Sequence, residues 1–533
     1  MTATIAPADL GRRLVQAAGE LALLDVREQG VFARGHLLWA SNLPLSRLEL
    51  GLARLLPRRA APIVLCDDDD GLARRAADKL AQFGYGDISL LDGGIPAWRE
   101  AGLSLFKGVH VPSKAFGELV EARRDTPRIT ARELATLKRA GRKLVILDSR
   151  PLEEYRRMSI PGAINVPGAE LVHRIRDLAP DPETLVVVNC AGRTRSIIGA
   201  QSLINAGTNH RVVALENGTM GWTLAGFELE HGQDRRAPSP GAEARAWAKS
   251  AAEQVGRRFA VARVDRATVE RWREDQSRTT YLCDVRGPDE YRAGHLPGAM
   301  SSPGGQLVQA TDGFIGVFGA RIVLCDDDEV RAIMTGSWLK QMGHDDVHVL
   351  AGGIGEVGLE SGDEPVAVLG LSAAAHAFEI GLGRIIGMLP GRDMTVIDVA
   401  TSRDYRAGHI PDSWFAIRSR AKDSVPRLPQ AEMVVVTSPD GVLGHLAAPE
   451  FSPLLRAPVK VLAGGTKAWR EAGLPMRDGA EHMADAEDDI YLLPYQHPPE
   501  RVEQAMRDYL TWETGLLSKI ERDGTARFRI PES

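Results

Sequence analysis

One pattern is written four times along this chain of 533 residues. An acidic residue closes an apolar run at LALLDVRE (Asp25), LVILDSRP (Asp148), TYLCDVRG (Asp284) and TVIDVATS (Asp398). Three copies continue as Asp-x-Arg, with Arg27, Arg150 and Arg286, and the fourth has Ala400. A Gly-His or Pro-Gly turn follows: Gly35-His36, Pro161-Gly162-Ala163, Gly294-His295-Leu296-Pro297-Gly298-Ala299 and Gly408-His409-Ile410-Pro411. A second apolar run ends in a polar loop at Cys66, Cys190, Cys325 and Ser438. A third ends in glycines at Gly93, Gly218, Gly352 and Gly464. From acid to loop residue the steps are 41, 42, 41 and 40; from loop residue to glycine they are 27, 28, 27 and 26. The copies start 123, 136 and 114 residues apart, which is the size of a domain and too long for a solenoid unit.

Each short Val/Ile/Leu run reads as a strand buried on both faces, as in a parallel sheet. Helical patterns lie between the runs, at Leu72–Phe83 and Ile197–Asn205 for example. Strand–loop–helix–strand alternation predicts an α/β fold: four tandem domains, each a mainly parallel sheet flanked by helices. The predicted boundaries are 1–108, 109–240, 241–370 and 371–479, with a tail at 480–533. Residues 236–263 form the longest joint, which predicts two pairs of domains meeting there. In the tail, Val502, Met506, Leu510 and Leu517 share a face of a helix over 500–522, predicting that it packs on a neighbouring domain. Trp98, Trp222 and Trp469 recur at one repeat position and read as domain packing.

Several function classes are excluded early. A net charge of -6 argues against a nucleic-acid footprint. No run approaches the ~18 apolar residues of a membrane helix. The N-terminus lacks the apolar segment of a secretory signal, so a cytoplasmic setting is expected. Four cysteines without a CxxC pair offer neither a disulfide scaffold nor a zinc cluster. His36, His295 and His409 read as turn histidines and Asp67–Asp70 as a solvated run, so no metal or cofactor is expected.

Ligands bind such sheets at the carboxyl ends of the strands, where the four loops stand. Cys66 and Cys325 run into carboxylates (Asp67–Asp70; Asp326, Asp327, Asp328, Glu329), and like charge disfavours a thiolate. Both are expected to be inactive, as is Ser438, which has no sulfur. Cys283 lies inside a strand and reads as core. Cys190 opens CAGRTRS at a helix start, beside Arg193 and Arg195, a setting that predicts a lowered thiol pKa. Ala191, Gly192, Arg193, Thr194, Arg195 and Ser196 form the candidate anion cradle, with Asp148 and Arg150 as possible supports at the same sheet end.

In these motifs the chain resembles the rhodanese family of sulfurtransferases, over roughly residues 5–479. The resemblance rests on Asp-x-Arg, the Gly-His-Ile-Pro-Gly-Ala-like turn, the strand–Cys loop–helix unit and the Gly-Gly-x-x-Ala-Trp ending. It implies a persulfide relay. Cys190 takes a sulfane sulfur from thiosulfate or a related small donor and passes it to cyanide, a thiol or a protein acceptor, with no cofactor. The loop amides would stabilise the persulfide, and Arg193 and Arg195 would neutralise it or the donor. Cys190 to Arg195 is Cys-x4-Arg, shorter than the Cys-x5-Arg loop of related phosphatases and arsenate reductases, and this favours sulfur over an oxyanion. The second copy departs from the family pattern at Met158-Ser159, Glu154, Ala191 and Gly192, so a small-thiol persulfide fits as donor as well as thiosulfate does. The remaining alternatives are a persulfide or redox sensor or scaffold in which Cys190 does not turn over, and a phosphatase or arsenate reductase.

Overall fold

The computed structural model describes residues 2–16, 19–371, 378–388 and 394–531; the start of the fourth predicted domain abuts 372–377, which lie outside them, as do the end positions 1, 532 and 533. Every copy builds a separate sheet with the same strand order. In the second it runs Arg128–Ile129, Val212–Leu215, Leu185–Asn189, Leu144–Asp148 and Ile164–Asn165, all parallel. Strand residues alternate between two cores. Leu147, Val186 and Val188 face one cluster, whereas Ile146, Val187 and Val213 face another. Helices therefore cover both faces, which is why the runs are apolar throughout. The chain adopts the α/β class read from its sequence, including the helical end. Each repeated tryptophan donates its indole N–H to the carbonyl six residues on: Trp98 to Ser104, Trp222 to Glu228 and Trp469 to Pro475.

The copies do not meet as two pairs. The third copy extends the first copy's sheet, with Val317–Phe318 antiparallel to Leu21–Ala22. The joint folds into a helix, Ala242–Arg258, that packs on Leu171–Leu178 of the second copy and Val330–Gln341 of the third. Its buried stripe is Ala244, Ala248, Ala251, Ala252 and Val255, small enough to admit helices on both sides. One core cluster consequently runs through copies one, two and three.

The tail also departs from the expected single docking surface. Its helices, Pro499–Thr514 and Leu516–Asp523, bridge two copies. Met506 and Leu510 pack with Met220 of copy two. Leu516 and Ile520 enter the core of copy one with Trp98, Phe106 and Val111.

Copy four docks on copy one through a buried ion pair. Arg418 holds Glu49 with both terminal nitrogens at 2.7 and 2.8 Å and also reaches Glu450. Burial alone would raise the Glu49 carboxyl, but Arg418 and Lys79 hold it down at about 2. The pair's contribution is therefore complete above the ordinary glutamate value and is lost as pH falls toward about 2. Arg418→Met leaves Glu49 buried with Lys79 alone, and urea unfolding of the full chain is expected to lose about 3 kcal/mol. An unchanged midpoint would show that the pair does not hold this interface.

Candidate active site

The site begins with strand register. Asp148 pairs opposite Asn189, and Asn189 donates its side-chain amide to Asp148 Oδ2 at 2.8 Å. Asp148 also accepts both arms of Arg150, at 2.9 and 2.7 Å, so the strand end is tied down on both sides. Arg150 Nη2 reaches on to the Met158 carbonyl. Cys190 is the first residue beyond the strand. The chain then turns through Ala191–Arg193 into the helix Thr194–Asn205.

A second helix start holds this loop from the side. Thr219 and Met220 donate their backbone N–H groups to the carbonyls of Cys190 and Ala191, at 2.9 and 3.0 Å. Gly218, at φ +53°, admits that approach, since a Cβ there would stand 2.2 Å from the Cys190 oxygen. The same contact recurs in every copy: Ile95 N–H to Asp67 O, Ile354 N–H to Asp326 O and Thr466 N–H to Ser438 O.

This equivalence corrects the loop alignment. The residue matching Cys190 is Asp67 in copy one and Asp326 in copy three. Cys66 and Cys325 match Asn189, still within their strands. The side chain at the site position faces the backbone N–H six residues on. Asp67 accepts from Ala73 (2.8 Å), Asp326 from Ala332 (3.3 Å) and Ser438 from Gly444 (3.2 Å). In copies one and three a carboxylate thus fills the cradle from within. Asp67 is buried rather than solvated, and Asp68 and Asp327 pair with Arg27 and Arg286. Cys66 and Cys325 are wholly buried and face a core, and burial first, then Asp25 or Asp284, pushes both thiols well above their ordinary value.

In copy two the cradle surrounds sulfur. Cys190 Sγ lies 3.5 Å from Ser196 Oγ, which donates to the Arg193 carbonyl at 2.7 Å. None of the backbone N–H groups from Ala191 to Arg195 has a hydrogen-bond acceptor among the described residues. They stand unclaimed on the loop that follows the thiol, which an anion site requires, and none donates to Sγ at rest.

The rhodanese-like domain family matches residues 7–101, 130–225 and 265–359. The chain belongs to this family. The fourth copy lies outside those matches but repeats the same sheet order. A crystal structure of a thiosulfate sulfurtransferase from Pseudomonas aeruginosa superposes with a TM-score of 0.95 at 48% identity, covering 99% of this chain and 100% of that one. A thiosulfate sulfurtransferase from the same organism is 28% identical over 231 residues, 36% of this chain and 83% of that protein. An HTH-type transcriptional regulator from Mycobacterium tuberculosis is 36% identical over 104 residues; this chain matches 20% of its own length to 45% of the regulator's.

Two electrostatic expectations for the rhodanese-like loop need correction. Arg193 turns away from the sulfur and is held by Glu118 and Glu121 of the helix Val111–Arg124. Arg195 does act on the thiol, but it is itself held by Glu154 at 2.7 and 2.8 Å and by Gln306 of copy three. Burial raises the Cys190 thiol, Arg195 and the Ser196 hydrogen bonds lower it, and Glu513 raises it again, leaving it above its ordinary value. The predicted thiolate is therefore a thiol at rest, because desolvation outweighs a cation already paired.

Four groups near the loop come from outside the repeat and carry no local motif. Lys114, on the helix before copy two, is buried and lies over the rings of Tyr509 and Trp512. Tyr495 donates to Thr219 Oγ1 at 2.9 Å. Tyr509 and Glu513 press on Gly192, where a Cβ would stand 3.2 Å from Tyr509 Cε1 and 3.1 Å from Glu513 Oε2. Gly192 itself was legible as a loop residue, but its tail contacts were not.

The turn histidines stack on their neighbours, His36 on Phe32, His295 on Tyr291 and His409 on Tyr405, and each bonds a backbone carbonyl. No group of three or more His, Cys, Asp or Glu able to hold a metal converges among the described residues. No described helix is long and apolar enough to cross a membrane.

Alkylation of Cys190 in the native protein, followed by peptide mass mapping, is expected to keep rising beyond pH 9. A plateau near neutral pH would indicate a thiolate already formed at rest.

Proposed function

We propose that this protein is a sulfurtransferase that carries sulfane sulfur as a Cys190 persulfide. One observation carries the reading: of the four equivalent strand-end positions only Cys190 offers sulfur, on a loop whose N–H groups from Ala191 to Arg195 have no acceptor among the described residues. Similarity over nearly the whole chain to a thiosulfate sulfurtransferase supports the same assignment.

With thiosulfate as donor, Cys190 Sγ attacks the outer sulfur. The sulfur–sulfur bond of the donor breaks, its electron pair leaves with sulfite, and the thiol proton leaves on that group as hydrogen sulfite. The Cys190–S–S⁻ anion is held by the N–H groups of Ala191 to Arg195 and by the Ser196 hydroxyl, which turns from the Arg193 carbonyl toward sulfur. Arg195 stabilises the new charge from within its pair with Glu154. Cyanide or a thiol, small or on a protein, then attacks the outer sulfur, and Cys190 returns. Asp148 and Arg150 keep the strand end in place and act through the loop's geometry.

Copies one, three and four serve as scaffold. Their site positions hold Asp67, Asp326 and Ser438, and the third copy supports Arg195 through Gln306.

Thiocyanate formation from thiosulfate and cyanide is the direct test. Cys190→Ser is expected to lose at least about a thousandfold in turnover while keeping its fold. Cys66→Ser and Cys325→Ser are expected to retain the wild-type rate within about twofold, since neither thiol reaches a loop. A single sulfur loaded per chain and never released would instead favour a persulfide sensor. Hydrolysis of p-nitrophenyl phosphate or reduction of arsenate would move the assignment to the related oxyanion enzymes.

A further inference from the structure

Glu513 is a carboxyl group delivered to the Cys190 loop from the far end of the chain, and it is 1% exposed. Its Oε1 accepts the Thr194 hydroxyl at 2.6 Å. Its Oε2 is buried with no hydrogen-bond partner among the described residues and lies over Gly192, on the loop that follows Cys190. Arg193 is held by Glu118 and Glu121 and Arg195 by Glu154, and Lys114 donates to the Val109 carbonyl beneath two aromatic rings. Burial and Glu118 raise the Glu513 carboxyl, the Thr194 hydroxyl, Lys114 and Arg193 lower it, and the balance leaves it raised. Tyr491, Cys190 and Arg195 act on Tyr509 beside it. No described cation reaches Glu513 Oε2 in a hydrogen bond.

We propose that Glu513 is a specificity-determining residue of the Cys190 site, setting it for hydropersulfide donors (RSSH) over dianionic donors such as thiosulfate, and supplying the proton that the departing thiol needs. The proposal rests on the Cys190 persulfide reading and names its substrate class. A dianion brings two charges into a buried site whose arginines are already paired, and desolvation without a free counter-ion disfavours the complex. A hydropersulfide brings a proton of its own and a leaving group that must gain one.

The step balances without an oxidant or reductant. Cys190 Sγ attacks the outer sulfur of RSSH, the bond between the donor sulfurs breaks, and its electron pair leaves on RS⁻. Glu513 gives its proton to RS⁻ and takes up the proton that Cys190 Sγ loses. The sum is Cys190–SH + RSSH → Cys190–S–SH + RSH. Burial raises the Glu513 carboxyl above its ordinary value, which favours the acid form that this step begins with.

The test uses the full chain with glutathione hydropersulfide or thiosulfate as donor and cyanide as acceptor, with the C190S rate subtracted as background. Wild-type kcat/KM is expected to be at least about tenfold higher with the hydropersulfide. In E513Q, which keeps the shape and loses the acid, the hydropersulfide value is expected to fall by about tenfold or more while the thiosulfate value holds or rises. E513D, which retains a carboxyl group, is expected to recover part of the preference. A wild-type preference for thiosulfate, or the same donor ratio in wild type and E513Q, overturns the proposal while leaving Cys190 as the sulfur carrier. Equal ratios in E513Q and E513D would assign the effect to packing and also overturn it. Absence of turnover from both donors in the wild type would bring down the persulfide reading itself. If E513Q fails to fold, the wild-type donor ratio and E513D still decide.

Discussion

The parallel pairing of Leu144–Asp148 with Leu185–Asn189 decides where Cys190 stands. Side chains on a strand alternate between faces, so a slip of one residue carries a group from one environment to its opposite. Cys66 and Cys325 stand within the register and belong to hydrophobic cores. Cys190 stands one step beyond it, where the chain has left the ladder and the first turns of a helix present their N–H groups. The helix that starts at Gly218 keeps the step in place by binding the carbonyls of Cys190 and Ala191. The glycine at this position is therefore a requirement of the loop, because a Cβ on Gly218, or on its structural equivalents Gly94, Gly353 and Gly465 (one residue beyond the glycines read from the sequence), would collide with the loop backbone.

Around that step the four copies share one frame and divide its uses. A carboxylate closes the cradle in copies one and three, a hydroxyl does so in copy four, and sulfur occupies the position in copy two. The site of copy two is then completed by parts from elsewhere. The helix Val111–Arg124 binds Arg193, copy three supplies Gln306, and the tail covers Gly192. The tail reaches that point because Leu516 and Ile520 are buried in copy one. Other copies thereby shape the surroundings of Cys190 through packing.

Much of this was legible from residues alone. Continuous Val/Ile/Leu runs followed by glycines gave the parallel sheets, and the Cys190–Ser196 loop stood out because its neighbours are small, basic and at a helix start. The Asp25, Asp148 and Asp284 partnerships with arginine were readable too. Spacing could not reveal the misalignment of Cys66 and Cys325: they follow their aspartates by 41 residues and Cys190 follows Asp148 by 42, but Ser438, a true counterpart, follows Asp398 by 40. Only strand register exposes Asp67 and Asp326 as the counterparts. Arg193 and the resting thiol were misjudged for another reason. A cation's neighbours in the chain do not reveal which acid will bind it, and Glu118 lies 75 residues away.

By itself the sequence determined the fold of each copy and the one loop that opens on a cysteine at a helix start, since backbone sterics, strand periodicity and the chemistry of a thiol are local properties. Tertiary structure alone decided the company that thiol keeps: a paired Arg195, a buried Glu513 and a raised pKa. Desolvation and charge pairing depend on what the rest of the chain brings within a few ångströms, and residues hundreds of positions apart carry no mark of that meeting until the cores have packed.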